Sequence, residues 1–219
     1  MKKLISLLMI AAMAVSLLAG CRRNVPAEST HNGETAHTEP STEYTEHTEP
    51  SAQNTEAEPT GTADTQSARI LEKIWAEYAA NERFAVYGGT VENSVMDAPG
   101  DLDLTNTDEI TAKYLLPEDQ LANVKEAASL VHLMNNNIFT GVVFQLQSGA
   151  DLRAVAKALR GNVQQTRWIC GQPDRLLIAE VEGQLLMAYG SKENMNTFHS
   201  KLKTAYKDAN ILYDEAITE

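Results

Sequence analysis

Residues 66–219 of this 219-residue chain predict an α+β fold, and three observations carry that reading. Ile70, Leu71, Ile74, Trp75 and Tyr78 recur at helical spacing. Val142, Phe144 and Leu146 alternate with Val143, Gln145 and Gln147, the period of a half-buried strand. Two apolar runs, Leu176 to Val181 and Gln184 to Tyr189, flank Glu182-Gly183, a two-residue hairpin turn.

The elements follow in chain order. A first helix spans about 67–81 behind a cap at Thr65 or Ser67, because a hydroxyl there accepts an otherwise unpaired amide of the first turn. Phe84 to Tyr87 reads as a short strand and Gly88-Gly89 as a turn. Residues 92–106, with Pro99-Gly100 and several Asp and Asn, read as a long loop. A short helix begins after Thr107 and ends near Leu116-Pro117, followed by a helical turn at 118–123. Ala127 to Met134 is apolar without a clean period and fits strand or helix. Asn135-Asn136-Asn137 tolerate positive φ and favour a hairpin into the next strand. A helix capped near Asp151 carries Leu152, Val155, Ala156 and Leu159, and another after Ser191 carries Met195, Phe198 and Leu202. Ile211 to Tyr213 forms a last strand.

From 138 to 213 this order is β-α-β-β-α-β, the ferredoxin-like arrangement with two helices on one face of an antiparallel sheet. The segment 67–134 then adds a strand and helices that cover an edge or the open face.

Before residue 66 the chain changes character twice. Lys2-Lys3 precede an uncharged apolar run from Leu4 to Gly20, a basic n-region and an h-region too short for a typical membrane span. Its end, Leu18-Ala19-Gly20-Cys21, resembles the lipobox of bacterial lipoproteins. That resemblance implies removal of residues 1–20 as a signal peptide and lipidation of Cys21, with a diacylglycerol, two acyl chains of palmitate type, on its sulfur. More than one chain matters because a single one gives only marginal membrane residence. The implied location is extracytoplasmic, with the membrane as partner through the lipid.

Residues 22–65 hold 13 Ser/Thr, nine acids and four of the seven prolines, but no Ile, Leu, Met, Phe, Trp or Cys. Such a segment buries too little apolar surface to offset chain ordering, so 21–65 is expected to be a disordered tether behind the lipidated cysteine. HTEPSTEYTE at 37–46 repeats as HTEPSAQNTE at 47–56. Its reach is roughly 150 Å fully extended and roughly 35–40 Å as a coil. His31, His37 and His47 lie among its glutamates and read as solvated spacer residues rather than metal ligands.

The net charge of -12, from 18 Lys+Arg against 30 Asp+Glu, is acidic in both the tether and the domain. A polyanion needs a concentrated basic face, so nucleic acid is not an expected partner. No P-loop, GxSxG, HExxH, CxxC or EF-hand loop occurs, and no cofactor is expected. With Cys21 acylated, Cys170 has no disulfide partner.

FAVYGG at 84–89, HLMNNNIFTG at 132–141 and WICGQPDRLLIA at 168–179 resemble a group of uncharacterised lipoproteins of Gram-positive, clostridial-type bacteria carrying a domain of unknown function. The resemblance implies no catalytic residue.

Two function classes remain. One is a non-catalytic binding or accessory module of the cell envelope, with an envelope protein or glycan as partner. The other is a small surface hydrolase or thiol enzyme using Cys170 and His132, since an imidazole within reach raises the thiolate fraction. Against the dyad, Trp168, Ile169 and the apolar run after Arg175 suggest that Cys170 is buried and structural, with His132 lining a hairpin. Asp97, Asp101, Asp103, Asp108 and Asn106 read as a solvated acidic loop rather than a calcium site. Trp168, Tyr189 and Phe198 form either an aromatic platform for a glycan or peptide or, by the usual fate of such residues, core.

Overall fold

A computed structural model describes residues 64–218. The lipobox with Cys21, the histidines of the repeats and nearly all of the tether lie outside the described residues. Among those residues no helix is long and apolar enough to cross a membrane.

The described residues form α1 (Gln66–Ala76), β1 (Val86–Gly88), β2 (Val95–Met96), β3 (Gly100–Asp101), α2 (Thr107–Lys113), β4 (Val124–His132), β5 (Phe139–Leu146), α3 (Leu152–Gln165), β6 (Arg175–Val181), β7 (Gln184–Gly190), α4 (Lys192–Ala205) and β8 (Asn210–Ala216), with a 3-10 turn at Glu118–Asn123. The expected caps hold the helices. Thr65 accepts from the Ala68 amide, Asp151 from Arg153 and Ala154, and Ser191 from Asn194. Glu126 of β4 adds a carboxylate at the start of α1, accepting from the Ser67 amide at 3.1 Å, where the helix dipole favours negative charge.

All eight strands join one antiparallel sheet in the order β2-β1-β4-β5-β7-β6-β8, with β3 beside β4. The fold is therefore α+β, and β5 to β8 keep the expected β-α-β-β-α-β order.

The helices do not share a face. Met195, Phe198 and Leu202 of α4 pack with α1 over Val143, Leu177, Leu186 and Ala188. Val155, Ala156, Leu159 and Val163 of α3 pack over Val142, Phe144, Ile178 and Met187 on the other side, together with Ile110 of α2. The physical reason is crossover handedness. β5-α3-β6 and β7-α4-β8 each step over one strand in the same direction along the sheet, but their strands point opposite ways. Crossovers of one hand then fall on opposite faces. A one-face arrangement would need β8 beyond β5, and the β4–β5 hairpin already occupies that edge.

Covering both faces corrects the half-buried reading of β5, which is buried from Phe139 to Phe144. β7 is buried along its whole length, as expected of a strand between two layers. The loop expected at 92–106 contains β2 and β3. β3 continues the edge of β4 that β1 begins, pairing Gly100 with Ser129 while β1 pairs Val86 with His132. The asparagine hairpin forms without the positive φ expected there. Asn135 instead accepts the Asn137 amide at 2.9 Å through its side chain, an Asx turn. At the β6–β7 turn both Glu182 and Gly183 do take positive φ, at 50° and 76°, as a two-residue hairpin requires.

Candidate functional site

A cleft of about 210 Å³ opens where three connections meet on the α2–α3 side of the sheet. The end of α2 contributes Lys113, the β4–β5 hairpin Asn136 and Asn137, and the α3–β6 connection Arg167 and Trp168, with Tyr189 of β7 also in the wall. The chain after α2 turns sharply at Leu115, whose φ is 56°, and the Asn162 amide of α3 donates to its carbonyl at 2.8 Å. That bond ties α2 to α3. The α3–β6 connection is pinned from the hairpin, since the Asn137 side-chain amide donates to the carbonyls of Ile169 at 2.9 Å and Gly171 at 2.6 Å.

Tyr189 donates its hydroxyl to the Lys113 carbonyl at 3.0 Å, and burial pushes its phenol up to about 12. Its ring meets Trp168 at 5.1 Å between centroids. Lys113 pairs with Glu109 at 3.1 Å and stands over the Tyr87 ring at 4.7 Å. Burial disfavours its charge, but Tyr114 and Tyr87 beside it outweigh that and hold the ammonium above the ordinary lysine range. Arg167 and the Trp168 indole lack partners among the described residues. Arg167 is exposed and makes no hydrogen bond, ion pair or ring contact. The Trp168 indole N–H is buried without an acceptor, an arrangement that costs about 1–3 kcal/mol unless something supplies one.

His132 is not part of this cleft. Its ring stacks on Phe84 at 5.3 Å, and Phe84 packs into the core beneath α1 and α4. Its Nδ1 accepts the backbone amides of Met134 at 3.2 Å and Asn135 at 3.3 Å, which places the proton of the neutral ring on Nε2. Partial burial lowers its pKa and favours that neutral form. The histidine thus closes the β4–β5 hairpin.

Cys170 is exposed, which corrects the expectation of a buried thiol. Its apolar neighbours do not enclose it. Trp168 turns toward Tyr189, Ile169 is 79 % exposed, and Cys170 itself takes φ 67° in a loop that reaches no strand until Arg175. The structure does not join His132 and Cys170 by any hydrogen bond: the imidazole is engaged by the Met134 and Asn135 amides and the Phe84 ring, and the thiol lies in the exposed α3–β6 connection. Cys170→Ala should therefore change stability by no more than about 0.5 kcal/mol, not by the loss a buried thiol would give. A thiol reagent should label Cys170 in the folded protein nearly as fast as in urea, and slow labelling that needs unfolding would contradict this placement.

The aromatic trio separates too. Trp168 and Tyr189 meet at the cleft, whereas Phe198 is core on the other face. Among the described residues no three His, Cys, Asp or Glu side chains converge as a metal site. Asp101 accepts the Thr65 hydroxyl, Asp103 accepts Thr105 through its hydroxyl and amide, and Asn106 caps α2. The Thr105 bonds hold the Asp103 carboxyl below its ordinary range.

Lys113, Asn136 and Asn137 carried no functional signal in the sequence. The nearest signal was the Arg167-Trp168 pair, which places a cation beside an aromatic but does not reveal what faces them.

No family model matches the chain, and comparison with curated proteins and with solved structures finds no match.

Proposed function

We propose that this chain is a lipid-anchored protein of the cell envelope, and that its folded domain is a binding or accessory module. The anchor rests on the Lys2-Lys3 start, the uncharged run and Leu18-Ala19-Gly20-Cys21. The resemblance of FAVYGG, HLMNNNIFTG and WICGQPDRLLIA to uncharacterised clostridial-type lipoproteins supports the same class. In this reading residues 1–20 are removed, Cys21 carries the lipid, 21–65 tethers and 66–219 binds an envelope protein or glycan.

The observation that carries the binding half is the cleft beside Trp168, where an aromatic wall stands next to an unpaired guanidinium. Recognition sites place a few polar groups against apolar and aromatic walls in this manner.

Cys21→Ser tests the anchor. The variant should leave the membrane fraction or accumulate at the unprocessed mass. A Cys21→Ser variant that still sediments with membranes at the processed mass would refute lipidation at this residue.

A further inference from the structure

We propose that the cleft between α2, the β4–β5 hairpin and the α3–β6 connection binds a small organic carboxylate through Arg167. This deepens the binding-module reading and rests on it.

The charge distribution is the first argument. The chain is acidic overall, yet the cleft is lined by two cations, Lys113 and Arg167, and by no Asp or Glu. Glu109 already meets the Lys113 charge. Arg167 therefore remains as a guanidinium without a partner among the described residues. Its planar fork of N–H donors matches the two oxygens of a carboxylate.

Size and wall chemistry narrow the ligand further. About 210 Å³ admits a body of one ring or two small residues, below the usual range for larger ligands. The partly exposed Trp168 ring, backed by the buried Tyr189 ring, presents a face for that body. The Asn137 side-chain oxygen is not used by the two bonds its amide nitrogen makes, so an acceptor for a ligand hydroxyl or amide also stands at the cleft. A doubly charged phosphate is a poorer fit, because a single unpaired guanidinium would leave it undercompensated.

The shared chemistry, a carboxylate on a compact body, has two sources in an envelope: the free C-terminus of a peptide and a carboxylated sugar. Isothermal titration of the full chain in nonionic detergent separates them. The probes are N-acetyl-alanyl-alanine and glucuronate, with N-acetyl-alanyl-alaninamide and glucose as their uncharged counterparts. Binding of either carboxylate, at least about tenfold tighter than its counterpart and weakened about tenfold or more by Arg167→Ala, supports the proposal. Which probe binds then assigns the source. Because Arg167 is exposed, the variant is expected to fold, and an unchanged unfolding midpoint verifies it. The proposal is overturned by no heat from either carboxylate up to about 10 mM, or by an affinity that Arg167→Ala leaves unchanged. Equal binding of the uncharged counterparts also overturns it while leaving the binding-module reading intact.

Discussion

Gly88→Ala is expected to lower the stability of the folded domain by about 3 kcal/mol or more, or to prevent its folding. β1 and β3 lie end to end along one edge of β4, and Gly88 sits where the first gives way to the second. A Cβ on Gly88 would stand 2.0 Å from the Gly100 nitrogen and 2.4 Å from the Ser129 carbonyl oxygen. Both obstacles are backbone, so no side-chain rotation relieves them. Relief requires β1 and β3 to separate, at the cost of their pairings to β4. The neighbouring bonds would be strained as well: the Gly89 amide donates to Ser129 Oγ at 3.1 Å, and the Tyr114 hydroxyl donates to the Gly89 carbonyl at 3.1 Å. Against a total stability of about 5–15 kcal/mol, the loss should be plain in urea unfolding. A variant within about 1 kcal/mol of the parent would show that the β1–β3 junction yields more easily than this packing implies.

Phe139→Ala should cost about 3–5 kcal/mol. Phe139 is fully buried at the start of β5, in the core beneath α1 and α4. Its ring meets Phe198 of α4 at 5.2 Å and Phe84 at 5.4 Å, so it joins the last helix to the segment that leads into β1. Truncation removes the transfer free energy of the ring and leaves a cavity bounded by other large side chains, which close only in part. Phe139→Leu fills most of the same space and should lose less than half as much in denaturant unfolding. Equal losses for the two variants would mean that edge-to-face ring geometry, rather than volume, dominates this contact.

The legible features of the fold were local. Thr65, Asp151 and Ser191 cap helices because each side chain reaches amides two or three residues ahead, and that depends on nothing distant. Glu182-Gly183 makes its turn for a similar reason. Ala127 to Met134 resisted assignment because β4 sends Ala128 and Leu130 into one core and Ala127 and Val131 into the other. A strand buried on both faces loses the alternation that marks strands in sequence. The same double burial misled the reading of β5, where Val143 is as deeply buried as Val142.

At the candidate site Trp168 and Tyr189 stood out by residue type, but their packing against each other in its wall did not. The site draws on segments near 113, 136 and 167, and nothing in their spacing along the chain reports that they converge. Cys170 shows the converse limit. Apolar neighbours in sequence suggested burial, but in a loop with φ 67° they turn away from it and leave the sulfur in solvent.

By itself the sequence determined that four helices form, the caps at Thr65, Asp151 and Ser191, the hairpin turns and the α+β class, because periodicity and capping act within a few residues; it did not place the ends of α1 and α2, which stop at Ala76 and Lys113 rather than near 81 and 116. Tertiary structure alone decided that α3 and α4 cover opposite faces, since β4 takes the edge that a one-face arrangement needs for β8. It also decided that an unpaired guanidinium stands beside an aromatic wall, because which loops meet depends on strand order, and strand order is a property of the whole sheet.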